Sequence, residues 1–395
     1  MKKIVIVGAG ASGVFLSLNL KDKNNEVIVL EKNEEPLKKI LVTGNGRCNY
    51  FNMDQDLKHY HSTSLNNINY LLKENDINRS IEIFNDLGIY PRIINGYYYP
   101  FSNNAKTIRN TFIEEMNNKN IKLITNYEVK KIRKIDDKFI INDDIKCDYL
   151  IISTGSKSGI NEEYNMYNLL EKMNIKIIKP LPSLTKLVVD NKYLKKLNGI
   201  RTLANCKILV NNKLLKEEYG ELQLTDYGLS GIVIFNLSRY ASISLDKKQT
   251  VSVKVNFLPT FENIDEIFER NKNIRSALKR ILNDKLVDVI LSECGVNDNF
   301  DKLNDIEKNK LKKYLTEYEF KVKDVKPFIS SQVSIGGVSL EEINLNTLES
   351  LKIPNLFFTG EVLDVDGDCG GYNLTFSWTS ALIVSRSIRG KKWLE

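Results

Sequence analysis

The chain has 395 residues, 42% of them hydrophobic and 27% charged, with a formal net charge of +7. That length allows two or three domains around a sizeable core, and the composition excludes a disordered or fibrous chain. No apolar run approaches the ~20 residues of a membrane span, and scattered pairs such as Lys195-Lys196, Lys247-Lys248 and Lys312-Lys313 lack the density of a nucleic-acid arm.

The most informative stretch comes first. Lys3 to Val7 is a short β-branched run, which predicts a buried parallel strand. Gly8-Ala-Gly10-Ala-Ser-Gly13 follows at once, and Val14 to Leu20 is apolar at helical spacing. Glu26 to Glu31 supplies a second strand ending in an acid. In such a unit Gly8 permits the tight turn, Gly10 lets the backbone approach a pyrophosphate, and Gly13 lets the helix pack close to its strand. The helix N-terminus offers unpaired N–H groups and a partial positive charge to that pyrophosphate. Glu31 stands where a carboxylate takes ribose hydroxyls, which favours FAD or NAD over a 2′-phosphorylated cofactor. Two other readings compete. A secretory signal would explain Met1-Lys-Lys but neither the glycines nor the Glu31 strand. A βαβ unit without a nucleotide is the second.

Residues 32–52 read as a long polar loop containing Lys39 and the run Thr43-Gly44-Asn45-Gly46-Arg47-Cys48-Asn49. Backbone and guanidinium contacts to a cofactor are one reading; a Gly-Asn turn between surface elements is the other. Residues 64–88 carry helical periodicity. Ile89 to Pro100 predicts strands around a turn at Asn95-Gly96, with Tyr97-Tyr98-Tyr99 either stacking on a ring or half-buried in a strand. A helix is predicted over 104–118, a third parallel strand over 121–125, and a β-meander over 128–147. Asp148 to Ser153 is a buried strand ending in Thr154-Gly155.

This order resembles the layout of two-dinucleotide-binding flavoproteins of the glutathione-reductase type. No second G-x-G-x-x-G occurs, so a separate NAD(P)H domain of the usual kind is not expected. After Pro180 strand character dominates, at 181–189, 202–210 and 250–257, and Gly228 opens an apolar segment to Leu237. Residues 261–313 are helical in periodicity.

Leu356 to Glu361 is another buried strand ending in Gly360-Glu361. An acidic turn, Gly370-Gly371 and a long helix from Tyr372 to about Ile388 follow. This is a second helix N-terminus suited to negative charge. Aimed at the pyrimidine side of a flavin, it would stabilise the reduced ring, with Asp366 or Glu361 on the ribityl hydroxyls. A plain N-capped helix after an Asp/Gly loop is the bland alternative. The three aspartates of the turn lack the spacing of a calcium loop.

Five cysteines, widely spaced and odd in number, argue for a reducing cytoplasm and against a disulfide framework or a zinc site. The only histidines, His59 and His61, read as surface residues without a third metal ligand.

Six blocks together resemble one family. They are VIVGAGASG at 5–13, LVTGNGRCNYFN at 41–52, YYPFSNNA at 98–105, GELQLTDYGLSG at 220–231, GGVSLEEIN at 336–344 and GEVLDVDGDCGGYNL at 360–374. The family is that of the BaiN/RdsA-like FAD-dependent oxidoreductases, also called the aminoacetone-oxidase family, flavoproteins of the YhiN type. The resemblance implies FAD held by Gly8, Gly10, Ala11, Ser12 and Gly13 in the first turn. It adds Glu31, Lys32, Lys39, Thr43, Gly44, Gly46, Arg47 and Cys48, then Val129, Thr154 and Gly155. It ends with Gly360, Glu361, Asp366, Gly371, Tyr372, Asn373 and Leu374. Asp226 stands where the family usually has His, and Ile232-Val233 where it has Pro-Ala.

The expected fold is therefore α/β, a Rossmann-like FAD-binding domain of glutathione-reductase type interrupted by an inserted β-barrel-like domain and a small helical subdomain. The expected boundaries are 1–178 and 321–395 for the FAD-binding domain, 179–260 for the β-domain and 261–320 for the helical subdomain. The expected activity is hydride transfer between a small organic substrate and bound flavin, with NAD(P)H as a transient donor. A pocket between the FAD domain and the insertion is the expected point of entry. Asp226, Tyr99 and Cys48 are guesses at catalytic residues, Cys48 being equally suited to packing. An RNA-modifying flavoprotein is the rival reading, disfavoured by the absence of a basic, aromatic-interleaved stripe. A FAD-stabilised protein without turnover is the third.

Overall fold

The computed structural model describes residues 1–64, 68–159 and 164–390. The chain forms two compact units, Met1–Pro180 with Val333–Glu395, and Leu181–Gln332.

The first unit is built on a seven-stranded sheet. Its centre is the strand Lys2–Val7, flanked in parallel by Asn25–Leu30 on one side and Tyr149–Ile152 on the other. Lys122–Ile124 extends it next to Asn25–Leu30, and Leu356–Phe358 next to Tyr149–Ile152. Ile4, Val5 and Ile6 are wholly buried, as a central parallel strand covered on both faces requires. The strands predicted at 3–7, 26–31, 121–125 and 148–153 thus all lie in one sheet. The meander is a separate antiparallel sheet of Ile132–Ile135, Lys138–Ile141 and Ile145–Cys147.

Four helices meet through aromatic side chains. Phe15 of Ala11–Leu20, Phe84 of Glu74–Asp86, Phe112 of Ala105–Asn118 and Trp378 of Tyr372–Arg389 are buried together. Ring centroids are 5.2 Å apart for Phe15–Trp378 and Phe84–Trp378, and 5.5 Å for Phe84–Phe112. Of the helix predicted over 64–88, Ile68–Leu71 and Glu74–Asp86 form; residues 65–67 lie outside the described residues. The predicted hairpin is present, Pro91–Ile94 against Tyr97–Pro100, turned by Asn95 (φ 50) and Gly96 (φ 83). Residues 32–52 are not all loop: Lys38–Val42 is one helical turn, which buries Ile40.

The second unit is a closed barrel. Its strands Leu187–Asp190, Arg201–Val210, Lys213–Leu224, Gly228–Ser230, Val251–Asn256 and Tyr318–Val325 enclose a core that includes Ile208, Val253 and Phe320. The helical stretch after residue 261 is four short helices, Glu266–Glu269, Ile274–Leu278, Asp284–Cys294 and Asp305–Thr316, in the same unit. The return expected at residue 321 falls inside the last barrel strand; the first unit resumes at Val333. No helix among the described residues is long and apolar enough to cross a membrane.

Candidate dinucleotide site

The three glycines of the first turn are in three different environments. Gly8 has φ +104, and a Cβ there would stand 2.4 Å from the Ser153 carbonyl oxygen. A Cβ on Gly13 would stand 2.0 Å from the Gly8 carbonyl oxygen. Both positions are closed to any side chain. A Cβ on Gly10 meets nothing within 4 Å. Gly10 opens the helix Ala11–Leu20 with no side-chain cap, so the first N–H groups face space a ligand can fill.

Glu31 is 8% exposed at the end of its strand. Its Oε2 accepts the Ala9 N–H at 2.9 Å, and its Oε1 accepts the Asn33 backbone N–H at 2.9 Å and side-chain amide at 2.6 Å. The acid is thus aimed at the glycine turn. The segment leading to buried Val129 runs alongside, Tyr127 N–H donating to the Glu31 carbonyl at 2.8 Å. Lys32 points out and is exposed.

Two strand ends bring distant residues to the same place. Ser12 Oγ lies 2.7 Å from Ser153 Oγ, and a Cβ on Gly360 would stand 2.5 Å from Ser12 Oγ. Thr154 Oγ1 lies 2.6 Å from the Tyr164 hydroxyl, which donates to the Gly155 carbonyl at 2.7 Å. Glu361 Oε1 accepts from Ser156 Oγ at 2.7 Å, Ser158 Oγ at 3.0 Å and the Ser334 N–H at 3.0 Å; its Oε2 accepts from Lys39 Nζ at 2.8 Å. A carboxylate has about four lone-pair sites. Glu361 therefore orients Lys39 and two serines and has little capacity left for ribityl hydroxyls.

The Gly-Asn-Gly loop and the Gly-Gly turn also meet. Gly44, Asn45, Gly46 and Cys48 all have positive φ, so the loop curls tightly, with the Cys48 N–H on the Thr43 carbonyl at 3.1 Å. The Arg47 guanidinium sits 4.7 Å over the Tyr99 ring. Asn52 Nδ2 donates to the Gly370 carbonyl at 3.0 Å, and Trp378 Nε1 to the Tyr50 carbonyl at 3.0 Å. Gly371 (φ 96) begins the helix Tyr372–Arg389, again with no side-chain cap. Asn49 Oδ1 is buried without a protein partner, 3.0 Å from where a Gly371 Cβ would stand. Asn373 clasps the loop itself, taking the Gly367 N–H and donating to its carbonyl at 2.8 Å each. Its side chain shapes the turn, and Leu374 beside it is half-buried.

Cys48 is fully buried, and burial pushes its thiol up to about 12. A thiol held neutral is a poor nucleophile, so the structure favours its packing role. Tyr99 is 8% exposed beneath Arg47. Asp226 lies in the other unit, exposed in the turn between Leu224 and Gly228.

The histidines differ from the expectation of plain surface residues. His59 Nδ1 and His61 Nε2 lie 3.0 Å from the two oxygens of Asp368, in the acidic turn. Their side chains are only 20% and 15% exposed. The strand pair Tyr60–His61 and Asp366–Gly367 makes the contact, His61 opposite Asp366, which is itself 1% exposed. Nothing in the spacing of residues 59 and 368 signals this pairing. Among the described residues no group of His, Cys, Asp and Glu side chains is arranged to hold a metal.

The residues present fit a flavin dinucleotide. Two helix N-termini opened by glycine lack side-chain caps, the space at Gly10 is open, and a buried amide oxygen at Asn49 has no protein donor. Such sites sit beyond the carboxyl ends of parallel strands, as this one does.

Comparison with known proteins agrees. The family described as HI0933-like protein Rossmann domain matches residues 2–387. A 3-dehydro-bile acid delta(4,6)-reductase of Clostridium scindens is 30% identical, over 98% of this chain and 99% of that protein. A ribosomal RNA dihydrouridine synthase of Haemophilus influenzae is 27% identical, over 97% of this chain and 98% of that protein. The open conformation of a flavocytochrome c3 fumarate reductase shares the fold, with a TM-score of 0.51 at 13% identity, over 98% of this chain and 78% of that one. Motifs, fold and relatives converge: the chain belongs to the HI0933-like Rossmann family of FAD-dependent oxidoreductases, the BaiN/RdsA-like flavoproteins that its blocks resemble.

Proposed function

We propose that the chain holds FAD between its two glycine-opened helix N-termini and reduces an activated carbon–carbon double bond of a small organic substrate, with NADH or NADPH as donor. The pair of uncapped N-termini carries this reading, because each offers several N–H groups to negative charge at a strand end. Bound flavin supplies the hydride chemistry.

The chain's own residues bind and orient. Gly10 and the first turn of Ala11–Leu20 take the pyrophosphate, and Glu31 takes ribose hydroxyls while fixing Ala9. Lys39, held by Glu361 and Ser158, keeps one ammonium N–H for the ribityl chain, while Ser156 and Ser158 spend their hydroxyl hydrogens on Glu361. The uncapped N–H groups at the start of the helix Tyr372–Arg389 would hold the pyrimidine edge, and Asn49 Oδ1 would accept from it. Similarity supports the substrate class: the two relatives described above carry the names of a delta(4,6)-reductase and a dihydrouridine synthase, each of which adds hydrogen to a carbon–carbon double bond.

The test is anaerobic. The purified protein is scanned for a flavin band, then titrated with NADH or NADPH, and the reduced protein is mixed with a conjugated enone. Bound FAD, bleached by one nicotinamide and restored by the enone, is the expected result. No flavin after reconstitution with FAD would overturn the central reading. The relative named as a ribosomal RNA dihydrouridine synthase favours a second acceptor. Reoxidation by ribosomal RNA, with none by the enone, would establish it instead.

A further inference from the structure

His59 touches both ends of the turn that leads into the last helix. The Asp368 N–H donates to the His59 carbonyl at 2.8 Å, and His59 Nδ1 lies 3.0 Å from Asp368 Oδ2. The His59 ring stacks on Tyr372, first residue of that helix, at 4.5 Å and 16°. Between these two anchors lie Gly370 and Gly371, both at positive φ. The other ring nitrogen, Nε2, lies 2.9 Å from Asp54 Oδ2.

This geometry counts protons. An ionised carboxylate only accepts, and a neutral imidazole has one N–H. The bonds to Asp54 and Asp368 are made together only when both ring nitrogens carry hydrogen. Both acids are held below the usual carboxylate range. For Asp54 the causes are the Asp56 N–H and then His59. For Asp368, burial pulls upward, but the bonds from His61 and His59 outweigh it. With both nitrogens protonated the ring is a flat cation on the face of Tyr372, a favourable pairing.

We propose that His59 is a positioning residue whose imidazolium, held between Asp54 and Asp368, locks the 368–372 turn in the shape that receives flavin, so that retention of FAD depends on one proton at His59. The proposal rests on the FAD reading above. Loss of that proton to solvent leaves one N–H for two carboxylates, so Asp54 and Asp368 compete for it and the hold on the turn weakens. The surrounding groups are His61 on Asp368, Lys58 between Asp54 and Asp56, and Cys369, Tyr60, Tyr97 and Tyr372. Burial pushes the Cys369 thiol up to about 11 and raises the three phenols, so these four stay neutral through pH 6–9.

The experiment follows FAD release from the full-length holoprotein by the rise in flavin fluorescence between pH 6 and 9. Release is expected to quicken roughly tenfold or more with pH, the equivalent of one charge-assisted hydrogen bond. Asp54→Asn is the discriminating variant. A neutral ring then donates from Nδ1 to Asp368 and accepts at Nε2 from the amide, so release becomes slow and independent of pH. Asp54 is 51% exposed, which spares folding. His59→Gln is expected to release FAD quickly at every pH. Nitrogen NMR of the His59 ring in the full chain at pH 7 gives a second readout, and a neutral ring there would overturn the proposal. So would flat wild-type release, or an undiminished pH response in Asp54→Asn. Absence of FAD at any pH would overturn the FAD reading and the lock together, whereas bound FAD with a flat response overturns the lock alone.

Discussion

Lys39 Nζ stands 2.8 Å from Glu361 Oε2, although 322 positions separate them in the chain. The contact joins the Gly-Asn-Gly segment to the strand end before the acidic turn. Lys39 is 45% exposed, so the pair adds little to stability. Lys39→Met should change the melting temperature by only a degree or two, the equivalent of under ~1 kcal/mol. Glu361→Gln has a larger effect, because four donors then face a neutral amide. FAD affinity should fall roughly tenfold or more, as measured by fluorescence titration.

The first glycine turn gives a contrast between neighbours. Gly8→Ala forces a Cβ to 2.4 Å from a carbonyl oxygen at φ +104 and should destabilise the protein by roughly 2 kcal/mol or more. Gly10 has φ −82 and open space, which alanine tolerates. Gly10→Ala should therefore keep the melting temperature of the flavin-free protein while sharply lowering FAD content. Loss of folding in Gly10→Ala would contradict the assignment.

Buried thiols set an alkaline limit. Cys48, Cys147 and Cys206 are each pushed up to about 12 from 9.0 by burial. Above pH 9 the unfolded chain loses these protons while the folded chain keeps them. Stability is therefore undiminished below pH 9 and falls between pH 9 and 12, approaching ~1.4 kcal/mol per pH unit for each thiol. Urea midpoints across that range check it. A thiol reagent at pH 8 should label none of the three in the native protein.

The aromatic cluster holds the last helix in register. Phe84 is wholly buried against Phe15, Tyr50, Phe112 and Trp378. Phe84→Ala should cost about 3–5 kcal/mol. Because Trp378 also donates to the Tyr50 carbonyl, the Gly-Asn-Gly loop should loosen as well. Denaturant unfolding and FAD release in the same variant test both effects.

Local patterns made most elements legible. The β-branched run before Gly8, the alternation around Asn95-Gly96 and the apolar spacing of residues 14–20 each state their own secondary structure. The strand Lys213–Leu224 was harder to read, because its first half exposes Leu214 and Leu215 and shows no buried face. The strand Tyr318–Val325 carried a period-two signal, Tyr318, Phe320 and Val322 inward, that the preceding helical run masked.

The sequence by itself determined the nucleotide unit, since a G-x-G-x-x-G between two strands is a local device whose parts are at most about twenty residues apart. It also determined the family, through blocks spread over the whole chain. Only the tertiary structure decided how Glu361 uses its lone pairs, that Asn373 clasps its own loop, and that Cys48 is a neutral core thiol. It alone brought His59 and His61 to Asp368. The reason is physical: a side chain's protonation and partners depend on burial and on groups within about 3 Å, and here those groups lie some 300 positions away.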